Sequence, residues 1–171
     1  MTPVLIVAPV GPLVSLADLK AQCRVLHPDD DAALIAYADA ALAKAEIDTG
    51  RVFLPQTWRQ PLDRWGSVLL RHPDVIAARV GWTAGGVTTT VTADVALGPL
   101  GAVIAASGPA ADARWVEYDL APDPHHKLIA SQAVRMLVAH WYRTREAVGE
   151  AMQTTPLAYE ALIQSIRRMP L

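Results

Sequence analysis

The sequence predicts an α+β fold: a small bundle of about four helices, with an antiparallel β region inserted between the second and the third. Three observations carry this. Apolar residues recur every three to four positions before residue 50 and again after residue 122, as on one face of a helix. Between these stretches, Ile76, Ala78, Val80 and Trp82 alternate with Ala77, Arg79 and Gly81, the period of a half-buried strand. Val87 to Thr92 is then β-branched at all six positions, which favours extended backbone.

The 171 residues suit one domain. It reads as an extended arm over 1–14, helices over 15–50, a β insertion over 51–121, and helices with a C-terminal tail over 122–171. With 52% apolar and 19% charged residues, the composition is far from that of a disordered chain. Cys23 is the only cysteine, so no internal disulfide forms and the fold relies on packing.

The arm contains an apolar run, Val4–Val10, which is short and interrupted or flanked by Pro3, Pro9 and Pro12. With no basic stretch before it, it fits neither a signal peptide nor a membrane-spanning helix. Two placements stay open: against its own domain, or against a neighbouring subunit.

Ser15 followed by Asp18 resembles a capping box with Asp in place of Glu, so a short helix is expected from about Leu16 to Cys23. Pro28 and Asp29, Asp30 and Asp31 open a second helix, where carboxylates meet the positive end of the dipole and cap free amides. Leu34, Tyr37, Ala38, Ala41, Leu42 and Ala45 form its apolar stripe, and Gly50 is its natural C-cap. In the β region, Ala84-Gly85-Gly86 suits a hairpin turn, and further short strands are expected near Val103-Ile104 and Trp115–Leu120.

Pro122 and Pro124 end that region. Ala130, Ala133, Val134, Leu137, Val138 and Trp141 then share one face of a helix expected to run from about Pro124 to Ala147, with Ile129 and Met136 widening the face. A helix apolar over so much of its girth is central, with neighbours on two sides. A last helix starts at Pro156, placed at its first position, with Tyr159, Leu162, Ile163 and Ile166 as its stripe. Arg167 and Arg168 follow at its negative end.

Reactive groups do not converge. Consecutive helical residues diverge by about 100°, so neither the Asp29–Asp31 trio nor the pair His125-His126 can close on one metal unaided. His140 reads as a core or interface histidine. No serine or cysteine nucleophile stands in an elbow motif, and no phosphate loop or dinucleotide fingerprint is present, so neither an enzyme nor a cofactor is expected.

A net charge of −2 argues against a dedicated nucleic-acid binder. Residues 1–50 hold three basic and seven acidic side chains, residues 51–124 six and seven, and residues 125–171 six and three. The acidic first part and basic last part can attract each other within one chain or between copies. Of Trp58, Trp65, Trp82, Trp115 and Trp141, the first four fall in the β region. A small sheet does not easily bury four indoles, so at least one is expected to face another subunit.

The run Leu137-Val138-Ala139-His140-Trp141-Tyr142-Arg143-Thr144-Arg145-Glu146-Ala147 resembles the signature helix of phage head–tail connector (adaptor) proteins. Thr49-Gly50-Arg51, Gln56-Thr57-Trp58 and Leu62-Asp63-Arg64-Trp65 resemble the same family's helix-to-strand junction. Ser15-Leu16-Ala17-Asp18-Leu19-Lys20 and Pro156 with Tyr159, Leu162, Ile163 and Arg167 resemble its ends. The middle, Arg71–Ala121, matches only in general character. The longer β section and the apolar arm depart from the shorter members.

The resemblance implies a structural subunit in the neck of a phage or gene transfer agent particle, assembled in the bacterial cytoplasm. It implies a ring of about twelve copies under the portal, in contact with the portal protein, with a tail-side head-closure protein and with its own copies, while double-stranded DNA passes through the lumen. No membrane partner is implied. Trp58, Trp65, Leu137, Trp141 and Tyr159 are its core and signature residues. Arg143, Arg145 and Glu146 are candidates for contacts between copies, with pairing of Arg143 and Glu146 on one helix face as the alternative. Arg167, Arg168 and Leu171 belong to a tail expected to dock on the portal. The alternatives are a head-closure or tail-terminator protein of the same particle, which is usually richer in β structure, or a small enzyme, which needs convergent polar groups in one pocket.

Overall fold

The computed structural model describes residues 2–98, 101–144 and 156–168. A strand β1 (Val4–Val7) precedes helices α1 (Leu16–Cys23) and α2 (Asp31–Thr49). Strands β2 (Gln56–Pro61), β3 (Gly66–Leu69), β4 (Val75–Ala84), β5 (Val87–Ala93), β6 (Val95–Gly98), β7 (Gly101–Ala106) and β8 (Ala113–Leu120) follow. Helices α3 (Pro124–Arg143) and α4 (Leu157–Ile166) close the chain. The fold is α+β, with an antiparallel β region between the second and third helices. Its contacts separate into a β unit, the described residues of Met1–Val10 and Leu54–Pro122, and a helical unit, those of Gly11–Phe53 and Asp123–Pro170.

In the helical unit, α1 begins where the Asp18 amide donates to the Ser15 hydroxyl at 3.1 Å and that hydroxyl donates to the Asp18 carboxylate at 2.8 Å. Ser15 caps the helix as expected, but with the shorter acid the bond to the Asp18 carboxylate comes from the Ser15 hydroxyl, where a full box would use its amide. Leu34, Ala38, Ala41 and Ala45 of α2 are buried against Ala130, Ala133, Val134, Leu137 and Val138 of α3, with Tyr159, Ile163 and Ile166 of α4 in the same core. Alanines on both α2 and α3 let the two helices approach closely. Helix α2 ends at Gly50, whose φ of 66° is the left-handed C-cap conformation that glycine adopts without strain.

Three local expectations change. Asp30 occupies the N-cap position of α2, but its side chain makes no cap hydrogen bond. The Tyr142 hydroxyl donates to it at 2.6 Å, and Asp31 pairs with Lys20 at 2.7 Å. Asp30 and Asp31 therefore tie the start of α2 to α3 and α1, because partners from other helices reach these two carboxylates, while Asp29 lies 3.7 Å from His27 in the preceding loop. Pro156 is the N-cap of α4 rather than its first residue, with ψ at 128°. Helix α3 is described to Arg143, its end closed by the Thr144 hydroxyl donating to the His140 carbonyl at 2.9 Å; the expected extension to Ala147 lies outside the described residues.

In the β unit, five strands run in the order β1-β2-β8-β4-β5 and three in the order β3-β7-β6, every neighbouring pair antiparallel. One face of the larger sheet buries Ala78, Val80, Val116, Tyr118 and Leu120, and the smaller sheet buries Ala102, Ile104 and Ala106. The arm lies on its own domain: Val4, Leu5 and Val7 pair with Arg59, Trp58 and Thr57. Ile76, expected on the inward face with Ala78, is 67% exposed. The register against β8 shifts between Val75 and Ala77, so Ile76 is the extra residue of a bulge and leaves the alternation. Gly85 and Gly86 turn β4 into β5 with φ of 55° and 80°, the paired positive values of a type I′ turn.

Candidate functional site

Among the described residues, no three His, Cys, Asp or Glu side chains gather as a metal would require, and no helix is long and apolar enough to cross a membrane. What the fold builds instead are surfaces.

The first lies across the larger sheet, opposite its buried face. Register places Arg59, Glu117 and Arg79 side by side on β2, β8 and β4, with Thr57 and Asp119 one step along. Arg59 donates to Glu117 from Nη2 at 2.9 Å and from Nε at 3.3 Å. Arg79 reaches Glu117 at 3.1 Å and Asp119 at 3.0 Å, and the Thr57 hydroxyl donates to Asp119 at 2.7 Å. Two cations and two anions thus form one partly buried ladder. Sequence reading missed it, although Glu117 and Asp119 alternate with the buried Val116, Tyr118 and Leu120. The signal was present in β8 alone; the partners depend on strand order.

The tryptophans of the β region all have contacts within the chain. The Trp58 ring lies 4.7 Å from that of His72, whose Nδ1 is 3.1 Å from the Tyr118 hydroxyl. Burial pushes Tyr118 up to about 12, against the opposing pull of Arg71. Trp65 meets Trp82 edge-on at 6.2 Å and donates from its indole to the Pro109 carbonyl at 2.8 Å. The Arg59 guanidinium lies 4.9 Å from the Trp115 ring centre. Trp58, Trp65 and Trp82 remain half-buried.

The second surface is an open groove of roughly 310 Å³ on the helical unit, lined by Lys44, Asp48, Tyr159, Glu160, Ile163, Gln164 and Arg167. At its base the buried Tyr159 donates to Asp48 at 2.8 Å, while Lys44 pairs with Asp48 at 3.0 Å. Burial, then the bond to Asp48, push the Tyr159 phenol well above its usual range. The Thr49-Gly50-Arg51 turn sets where the chain leaves α4. Arg51 Nε donates to the Ile166 carbonyl at 2.9 Å, and the Arg168 amide donates to the Thr49 carbonyl at 2.9 Å. Arg167, on the groove's lining, is exposed, and Arg168 is half-buried.

Of the remaining candidates, Leu137 is fully buried, and Trp141 is half-buried with its ring edge on Tyr37 at 6.3 Å. Arg143 is exposed at the end of α3. Arg145, Glu146 and Leu171 lie outside the described residues. Between the acidic first part and the basic last part of one chain, Arg135 pairs with Asp18 at 3.4 Å, and Tyr142 and Tyr159 donate to Asp30 and Asp48.

The third surface is the pair of edges of the five-stranded sheet. All four residues of β1, and Val87 to Thr92 of β5, are exposed.

No protein-family model and no curated protein matches the chain. Solved structures do. A chain in the neck of an empty gene transfer agent particle, computed with six-fold cyclic symmetry, aligns with a TM-score of 0.74 and 26% identity, covering 100% of this chain and 97% of its own. A chain in the virion of a native gene transfer agent particle aligns with the same values. A chain in the neck of a native particle, computed with twelve-fold symmetry, aligns with a TM-score of 0.64 and 24% identity, covering 97% of each. Over its whole length, this protein therefore shares its fold with a chain of a gene transfer agent neck.

Proposed function

We propose that this protein is a head–tail adaptor: a structural subunit of the particle neck that forms a ring of about twelve copies below the portal and joins head to tail. The observation that carries the reading is the fold match over 100% of the chain to a chain of a neck. Twelve copies satisfy six-fold as well as twelve-fold symmetry. The molecule's make-up supports it. Charged groups pair with one another in the Arg59–Glu117–Arg79–Asp119 ladder, and the net charge of −2 suits a lumen through which DNA slides without being gripped.

In this reading, the β and helical units act as one adaptor domain, with the portal protein on one side and a tail-side head-closure protein on the other. Arg143, with Arg145 and Glu146 beyond it, bridges neighbouring copies. The tail from Arg167 to Leu171 docks on the portal, its exit held by the Thr49-Gly50-Arg51 turn. Deleting the gene from a strain that produces the particles tests the reading. Heads and tails then accumulate unjoined, and restoring the gene returns tailed particles with this chain in their necks. Tailed particles at undiminished yield without the protein overturn it.

A further inference from the structure

A ring of identical copies closes by head-to-tail contacts, so each copy must present two different patches that fit each other, one on either side. The five-stranded sheet ends in two open edges that meet this need. At one, Val4, Leu5, Ile6 and Val7 of β1 are 39–55% exposed. At the other, Val87 and Val91 of β5 are 66% and 52% exposed, among the threonines 88, 89, 90 and 92. Neither stretch contains a charged residue, and no proline stands inside either strand. Sheet edges of proteins that stay single are guarded by lysines, inward charges or prolines. Neither edge carries such a residue, although β1 is only four residues long and shifts register between Leu5 and Val7, and the two lie at opposite ends of one sheet.

We propose that β1 of one copy packs on β5 of the next and forms the seam of the ring; this rests on the ring reading above. Geometry decides how they meet. Four antiparallel steps separate β1 from β5, so the two strands run in the same sense before twist is counted. Twist of about 20–25° per step turns β5 by roughly 80–100° from β1 of its own copy. Rotation about the ring axis of twelve copies turns the neighbour's β1 by at most about 30° from that same direction. The neighbour's β1 therefore crosses β5 steeply. A continued ladder, which needs strands about 20–25° apart, does not form. The seam is side-chain packing: the Val-Leu-Ile-Val strand laid across Val87, Thr89 and Val91, which share one face of β5.

The distinction between packing and ladder can be tested. The type I′ turn bonds the Val87 amide to Ala84, so alternation along β5 turns the amides of Thr88, Thr90 and Thr92 outward. Thr90→Pro removes an outward amide that no ladder among the described residues uses. The experiment follows the amount of this chain, relative to portal, in particles purified from a producing strain that carries each variant. Ile6→Lys and Val91→Asp should each lower it at least ten-fold, while the isolated proteins keep wild-type melting curves. The two together should restore it to within about three-fold, because the new charges face each other. Thr90→Pro should assemble as wild type.

Normal incorporation of either single charge variant, or no recovery in the double variant, refutes the seam. Loss with Thr90→Pro refutes the crossing geometry in favour of a ladder. Absence of the wild-type chain from the particles removes the neck reading, and the seam falls with it.

Discussion

A Cβ placed on Gly81 would lie 2.5 Å from the Trp115 indole, closer than side chains pack, so the ring occupies the space that glycine leaves in β4. Gly81→Ala should cost about 1–3 kcal/mol through overpacking, read as a lower urea midpoint with an unchanged slope. A midpoint equal to wild type means the indole can move away. Two buried phenols set a second property at this scale. Burial holds Tyr118 at about 12, and burial with the Asp48 bond holds Tyr159 higher still. In the unfolded chain both ionise near pH 10. Below about pH 10 neither state has lost these protons, and the phenols add no slope. Above it the unfolded chain loses protons that the folded one keeps, so stability falls as pH rises towards about 12. Urea midpoints at about pH 9 and pH 11.5 should show that fall, and Tyr118→Phe should reduce it. A midpoint that stays level across this range contradicts the assignment.

The helices were readable from the sequence because their signals are local. Ser15 with Asp18, Gly50, and the 3–4 spacing of Leu34, Ala38, Ala41 and Ala45 each act within one or two turns, and the structure uses them as expected. Gly50 carries the strongest of these requirements. Its φ of 66° strains any residue with a side chain, so Gly50→Ala should destabilise by about 1 kcal/mol. The Arg168 Cβ, 3.8 Å away, leaves room, and the cost is conformational rather than steric. A loss below about 0.3 kcal/mol in thermal or urea unfolding shows that the turn relaxes. The strands were less legible, since a bulge or an edge depends on a partner strand. Ile76 obeys the alternation in sequence and breaks it in space because β8 shifts register beside it. Val4–Val7 forms a strand because β2 offers an edge, which no pattern inside the arm announces. The acidic trio looked like a cap, and the hydroxyl of Tyr142, more than 100 residues away, claims Asp30 instead.

At the scale of the whole molecule, the candidate surfaces were legible only as ingredients. Arg59, Arg79, Glu117 and Asp119 are ordinary charges until strand order lines them up, and Arg167 is one arginine among many until the Thr49–Arg51 turn fixes its exit. That assembly of charges has a consequence for DNA. Lys20 is held by Asp31, Lys44 by Asp48, Arg59 and Arg79 by Glu117 and Asp119, and Arg135 by Asp18. Each paired cation must give up an acid before it can neutralise a phosphate, and the chain as a whole is negative. Non-specific DNA binders reach dissociation constants of roughly 10⁻⁴–10⁻⁶ M at physiological salt, by releasing counterions from several phosphates at once. The purified protein should bind a short duplex more weakly than about 10⁻⁴ M, with little change between low and physiological salt. Fluorescence anisotropy of a labelled duplex measures both. Micromolar binding with a steep salt slope would mean that the exposed cations such as Arg143 and Arg167, or the paired arginines on exchanging their acids, reach phosphates, and that the ring grips the DNA it was proposed to let pass.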